Sequence, residues 1–225
     1  MIAPAMPIAS SPLQSFWYLL TRLGEVQILL PAALLAMLVL AHRADTRSLA
    51  SSWLGWLCLT ALLTTASKIA FIGWGIGSAT LDFTGISGHT MFAAAVYPLL
   101  LGTLTSRLPP WGQKMAVAVG FGLALLVGMS RMEVGAHSIS EVVAGLLLGG
   151  AASAFAMARA GLPRSRIGTR LALLVALWVL ITPIHVPPLP THSMVTRLAL
   201  SLSGSPVPHT RSTLHLTAEP WRPRP

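Results

Sequence analysis

Six apolar runs, each near the length that crosses a bilayer and separated by charged or Gly/Pro-rich breaks, constrain this chain more than any other feature. They extend over Val26–Ala41, Leu49–Ala66, His89–Thr105, Met115–Met129, Ser138–Ala158 and Leu171–Val186. Backbone in lipid must satisfy its own hydrogen bonds, so such runs predict an all-α fold, a polytopic membrane bundle of six transmembrane helices. With 54% hydrophobic against 9% charged residues, the composition excludes a disordered chain and a water-soluble nucleic-acid binder, despite the formal net charge of +9. No nucleic-acid partner is expected.

The runs divide the chain into three parts. Residues 1–25 form an N-terminal interfacial segment, in which Phe16, Trp17, Tyr18 and Leu19 beside Arg22 predict a short helix in the headgroup layer. Residues 26–190 form the six-span domain. Residues 191–225, after the helix-stopping Pro187, Pro188 and Pro190, form a Pro/Ser/Arg-rich tail that reads as irregular or surface-bound. The first residues lack the charged start and apolar centre of a cleavable signal peptide, and the single Cys58 permits no internal disulfide.

Basic residues assign the loops to sides. Loops one, three and five carry Arg43, Arg47, Arg107, Lys114, Arg159, Arg164, Arg166 and Arg170, whereas loops two and four hold only Lys68 and Arg131. The positive-inside rule places the first group in the cytoplasm and both termini outside, with tail residues Arg197, Arg211, Arg222 and Arg224 counting against the assignment.

Ionisable groups in membrane helices are costly, and here they collect at the outward side. Lys68 ends the second run, Asp82 and His89 stand at the third, and Arg131, Glu133, His137 and Glu141 lie between the fourth and fifth. Gly85-Ile86-Ser87-Gly88-His89 leads into a helix, whose first-turn N–H groups favour an anion; the same residues also suit a plain N-cap. His137 and Glu141, four residues apart, share a helical face, so one ring nitrogen can meet the carboxylate while the other is left as a base or nucleophile. Arg131 supplies a planar fork suited to phosphate and Lys68 a point charge, although either could serve lipid headgroups. Asp82 reads as a partner for Lys68 or as part of a turn. Gly73, Gly77, Gly145 and Gly149 have the spacing of close helix contacts, and the tryptophans read as belt and packing residues, with Trp74 bordering the site. His185, His192, His209 and His215 read as interfacial or tail residues.

Together these residues resemble the type 2 phosphatidic acid phosphatase (PAP2) family, membrane lipid-phosphate phosphatases related to the vanadium haloperoxidases. Ser130-Arg131, His137 and Glu141 are similar to the family's third motif, with Glu in place of Asp. Ile86-Ser87-Gly88-His89 is similar to the second motif, Pro-Ser-Gly-His. Of the first motif only Lys68 is matched, because Gly75 and Ile76 occupy the Arg-Pro places. The resemblance implies a haloperoxidase-like helical fold and hydrolysis of a phosphomonoester or pyrophosphate on a lipid, without metal or cofactor. His137 would be the nucleophile that forms a phosphohistidine, His89 the acid for the leaving oxygen, and Glu141 the orienter of His137. Lys68, Ser87, the Gly88 N–H and Arg131 would hold the phosphoryl oxygens. It also implies a multi-pass protein of the plasma membrane, of the bacterial inner-membrane kind, with the site facing the extracytoplasmic side and membrane lipids as partners. The particular lipid and the oligomeric state stay open.

Two alternatives are kept. Gly85-Ile86-Ser87-Gly88 with Ala136-His137 also resembles rhomboid intramembrane serine proteases, with Ser87 as nucleophile and His137 as base, but that leaves Lys68, Arg131 and His89 without a task. The incomplete first motif fits a catalytically degenerate lipid-phosphate binder.

Overall fold

The computed structural model describes residues 11–164, 169–185, 187 and 190–218. Of the residues singled out above, Arg166, Val186, Pro188, Arg222 and Arg224 lie outside them, as do the side chains of Arg170 and His185. The described residues are helical with no strand: α1 (Pro12–Arg22), α2 (Val26–Ala41), α3 (Arg47–Trp74), α4 (Gly88–Leu104), α5 (Pro110–Glu133), α6 (Ile139–Ala160), α7 (Thr169–His185), α8 (Thr191–Ser203) and α9 (Arg211–Ala218).

Local chemistry sets the ends. Ser11 accepts a hydrogen bond from the Gln14 N–H and Pro12 sits in the first turn of α1. Gly75 ends α3 in the left-handed region at φ 70°. α6 opens with a reciprocal capping box, in which Ser138 accepts from the Glu141 N–H and the Glu141 carboxylate accepts from the Ser138 N–H.

Four stretches are long and apolar enough to cross a membrane: Pro12–Ala41, Arg47–Trp74, Pro110–Glu133 and Ile139–Ala160. This is a membrane protein. The count of six is thus met only in part, since the other two expected spans, α4 and α7, are helices of 17 residues each. The expected interfacial helix, α1, is followed closely by α2, and the two together make up the first of the four stretches.

α4 is the hub, packed by α5, α6, α2 and α3. Its run Ala93-Ala94-Ala95-Val96 is fully buried, and Ala95 accepts a hydrogen bond from the buried Trp53 indole at 3.0 Å. Small residues let α6 approach it: a Cβ on Gly149 would fall 2.1 Å from the Met91 carbonyl oxygen, and one on Gly145 2.8 Å from that of Ser87.

Of the two readings of the tail, irregular or surface-bound, the structure departs from the first, since α8 and α9 are helices. α8 packs on α3, burying Ala199 completely against Phe71 and Ile72, so a short amphipathic helix covers apolar surface that α3 would otherwise expose. Gly73 makes its close contact here, where a Cβ would lie 3.1 Å from the Ala199 carbonyl oxygen.

Candidate active site

The antiparallel order brings the starts of α2, α4 and α6 and the ends of α3 and α5 to one end of the bundle. A cavity of about 790 Å³ lies there, lined among others by Lys68, Gly88, His89, Arg131 and His137. The basic loop residues Arg43 and Arg107 are at the opposite end.

Glu141 organises the wall. Its side chain is fully buried, yet its carboxylate receives five donors. Thr84 gives its N–H at 2.7 Å and its hydroxyl at 2.5 Å, His137 gives Nδ1–H at 2.6 Å, the Ser138 N–H lies at 3.1 Å and Arg211 Nη2 at 2.8 Å. A carboxylate so surrounded can only accept, so it fixes the imidazole tautomer: Nδ1 carries the proton and Nε2 keeps its lone pair. Burial lowers the His137 pKa below the usual imidazole value, and the charges of Lys68 and Arg131 act the same way against the Glu141 hydrogen bond.

The chain reaches this geometry by turning back on itself. The Arg131 carbonyl, in the last turn of α5, accepts from the N–H groups of Ala136 at 3.0 Å and His137 at 3.1 Å. Gly135 adopts φ 67° to permit the turn. Arg131 itself is anchored by Nη1 donating to Thr21 of α1 at 2.8 Å, while its Nε is buried without a partner. Lys68, in the last turns of α3, takes part in none of the described ion pairs. Its ammonium sits by the start of α4, 3.8 Å from where a Cβ on Gly88 would project. The free first-turn N–H groups of α4 and the His89 ring complete that side.

Ser87 stands apart. It is fully buried, its hydroxyl pairs with Thr90 at 2.9 Å, and it does not line the cavity. A phosphate-holding hydroxyl or a protease nucleophile would have to face the cavity, and among the described hydrogen bonds none joins Ser87 to His137.

Other expectations shift. Asp82 lies in a turn, at φ 49°, but its partners are Arg211 and His215 rather than Lys68. Trp74 is 52% exposed and does not border the cavity, and Glu133 is exposed away from it. His192 and His209, read as tail residues, line the cavity, as do Arg211 and Thr84. Thr84 lay next to the helix-start motif, whereas nothing in the local pattern around Arg211 pointed to the site. Among the described residues, no three His, Cys, Asp or Glu side chains are grouped to hold a metal.

The family model described as the PAP2 superfamily matches residues 73–164. Over 209 residues the chain is 38% identical to an uncharacterized 22.5 kDa protein in the cps region of Klebsiella pneumoniae, covering 90% of this chain and 99% of that one. The chain belongs to the PAP2 superfamily. The stretch matched by the PAP2 model holds Gly88, His89, Arg131, His137 and Glu141, and leaves out Lys68 and Arg211. Phosphatidylglycerophosphatase B of Bacillus subtilis (strain 168) is 39% identical over 70 residues, which are 30% of this chain and 34% of that protein. No solved structure matches.

Proposed function

We propose that this PAP2 protein is a lipid-phosphate phosphatase that hydrolyses a phosphomonoester or pyrophosphate of a membrane lipid through a phosphohistidine. The observation that carries the reading is the His137 ring, held through Nδ1 by a buried carboxylate, in a cavity shared with Lys68, Arg131 and His89. Membership of the PAP2 superfamily and the partial similarity to a phosphatidylglycerophosphatase support the same class.

In the proposed reaction the His137 Nε2 lone pair attacks phosphorus and the bond from phosphorus to the lipid oxygen breaks. His89 gives that oxygen its proton. Water then attacks the phosphohistidine, with neutral His89 accepting a proton, and inorganic phosphate leaves with His137 restored. Lys68, Arg131 and the Gly88 N–H hold the charge that builds on the phosphoryl oxygens, the main electrostatic task of such transfers. Ser87 is left a supporting role through its N–H bond to the Glu141 carbonyl at 3.1 Å. In this reading α2 to α7 are six spans, and the loop charge supports a cavity at the extracytoplasmic face of the plasma membrane, where a lipid enters sideways.

The test is phosphate release by detergent-purified protein from phosphatidic acid, phosphatidylglycerophosphate, a polyprenyl diphosphate and lipid A. Turnover of at least one is expected; binding without turnover of any would leave only a degenerate lipid-phosphate binder. The pH profile adds a check. His137 attacks only when neutral, and its pKa is lowered in the fold, so the acidic limb of kcat/KM has its midpoint below about 6.5, while loss of the proton that His89 must donate bounds the profile on the alkaline side. An acidic limb centred above about 7 would exclude His137 as the titrating nucleophile.

A further inference from the structure

The first-motif place that the family fills with arginine holds Gly75 here, at φ 70°, where an L side chain is strained. That place is covered from elsewhere in the chain. A Cβ on Gly75 would lie 3.0 Å from Nδ1 of His209, whose backbone N–H donates to the Ile72 carbonyl at 2.9 Å. Two residues on, at the start of α9, Arg211 lines the cavity.

The Arg211 guanidinium is oriented by several contacts. Nη1 donates to the Asp82 carboxylate and, at 2.8 Å, to the Asp82 carbonyl. Nη2 donates to Glu141 Oε2 at 2.8 Å and makes a long contact of 3.4 Å with the Thr84 hydroxyl. Nε takes part in none of the described hydrogen bonds, which leaves the N–H on this edge of the fork for an oxyanion. Nη2 ties the guanidinium to the acceptor that orients His137. We propose that Arg211 is the second guanidinium of the phosphate site, supplied by the C-terminal segment in place of the arginine absent at Gly75. This rests on the phosphatase reading above. Arg211 binds a phosphoryl oxygen through this edge and at the same time positions Glu141 against His137. Asp82 is its anchor, which gives that acid a task beside an anion site: it is paired to the cation rather than opposed to the substrate.

The test uses the full chain, with Arg211→Ala, Arg211→Lys and His137→Ala, each checked for a cooperative thermal unfolding transition. Two quantities are read: kcat on the preferred lipid phosphate, and the Kd of inorganic phosphate by calorimetry. Arg211→Ala should lower kcat about 100-fold and weaken phosphate about tenfold. Arg211→Lys, which keeps the charge and loses the fork, should recover part of both. A merely structural residue would shift the unfolding temperature and leave phosphate affinity in the folded protein unchanged. Wild-type kcat and Kd in Arg211→Ala, with His137→Ala inactive, would overturn the inference and leave the phosphatase reading standing. If the unsubstituted protein turns over no lipid, that reading fails, and phosphate affinity alone decides: weaker binding in the Arg211 variants upholds the site, while equal binding, or no binding by the unsubstituted protein, overturns it. If Arg211→Ala does not fold, Arg211→Lys decides on the same two quantities.

Discussion

His137→Ala is expected to lower phosphate release by roughly 10⁴-fold or more, because a nucleophile cannot be replaced in part. The fold should survive the change. Glu141 would keep four of its five donors, from Thr84, Ser138 and Arg211, so the buried carboxylate is not left unpaired. The capping box of α6 does not use the imidazole. The measurement is kcat on the best lipid of the panel, with the thermal unfolding transition as the control for folding. A variant that keeps more than about a tenth of the activity would remove His137 from the nucleophile's role. Glu141→Gln would then identify whether the capping carboxylate itself matters, since Gln can still accept from Thr84 while losing its charge opposite Arg211 and His137.

Gly149→Ala is expected to be the most damaging single methyl group in the bundle. The added Cβ would lie 2.1 Å from the Met91 carbonyl oxygen and 3.0 Å from the Ala94 Cβ, and neither belongs to a flexible side-chain end. α6 would have to move away from α4, at a cost of about 3 kcal/mol or more. The damage extends to the site, because α4 begins with Gly88 and His89 and α6 begins beside His137 and carries Glu141 in its first turn. The neighbouring residue is a built-in control: a Cβ on Gly150 would meet only the Phe121 ring at 3.6 Å, an ordinary contact, so Gly150→Ala should be close to neutral. Equal unfolding temperatures for the two alanine variants in detergent would show that the α4–α6 contact does not limit stability.

The contrast between these helices and the tail shows what a single sequence can disclose. α2 was legible residue for residue as Val26–Ala41, since Glu25 and His42 bracket a run in which Gln27 alone is polar. α3 continues to Trp74, well past the expected Ala66, because Lys68 reads as the end of a span when it is a side chain turned into a cavity within one. The pairing of His137 with Glu141 was expected from helical spacing and is present, but His137 lies just ahead of the Ser138 N-cap of α6, so the chain entering the helix makes the contact and the two do not share a helical face. The capping box has the spacing of Ser138 and Glu141, but the same carboxylate also meets His137, and one sequence position does not show that it serves both. Rotamer choice was invisible: Ser87 stands at the helix start as expected, but Thr90, one turn on, takes its hydroxyl. Least legible was Arg211, which meets Asp82 across 129 residues of sequence from a segment whose composition reads as irregular. Long-range charge pairs have no period, and the apolar positions of α8, Val195, Leu198, Ala199 and Leu202, have helical spacing but stand in a Ser/Thr-rich stretch behind three prolines.

The cavity is also where distant parts of the chain are fastened together. Thr21 of α1 holds Arg131, and Arg211 of α9 holds Glu141, so the first and last described helices each own one strut of the same enclosure. Any anion held between those struts binds the assembled form and not the opened one, and mass action then transmits its affinity to both segments. Phosphate should therefore slow amide exchange and protease cleavage in α1 and α9 together, two segments far apart in sequence, and the joint protection of these two helices becomes a gauge of whether the site is filled.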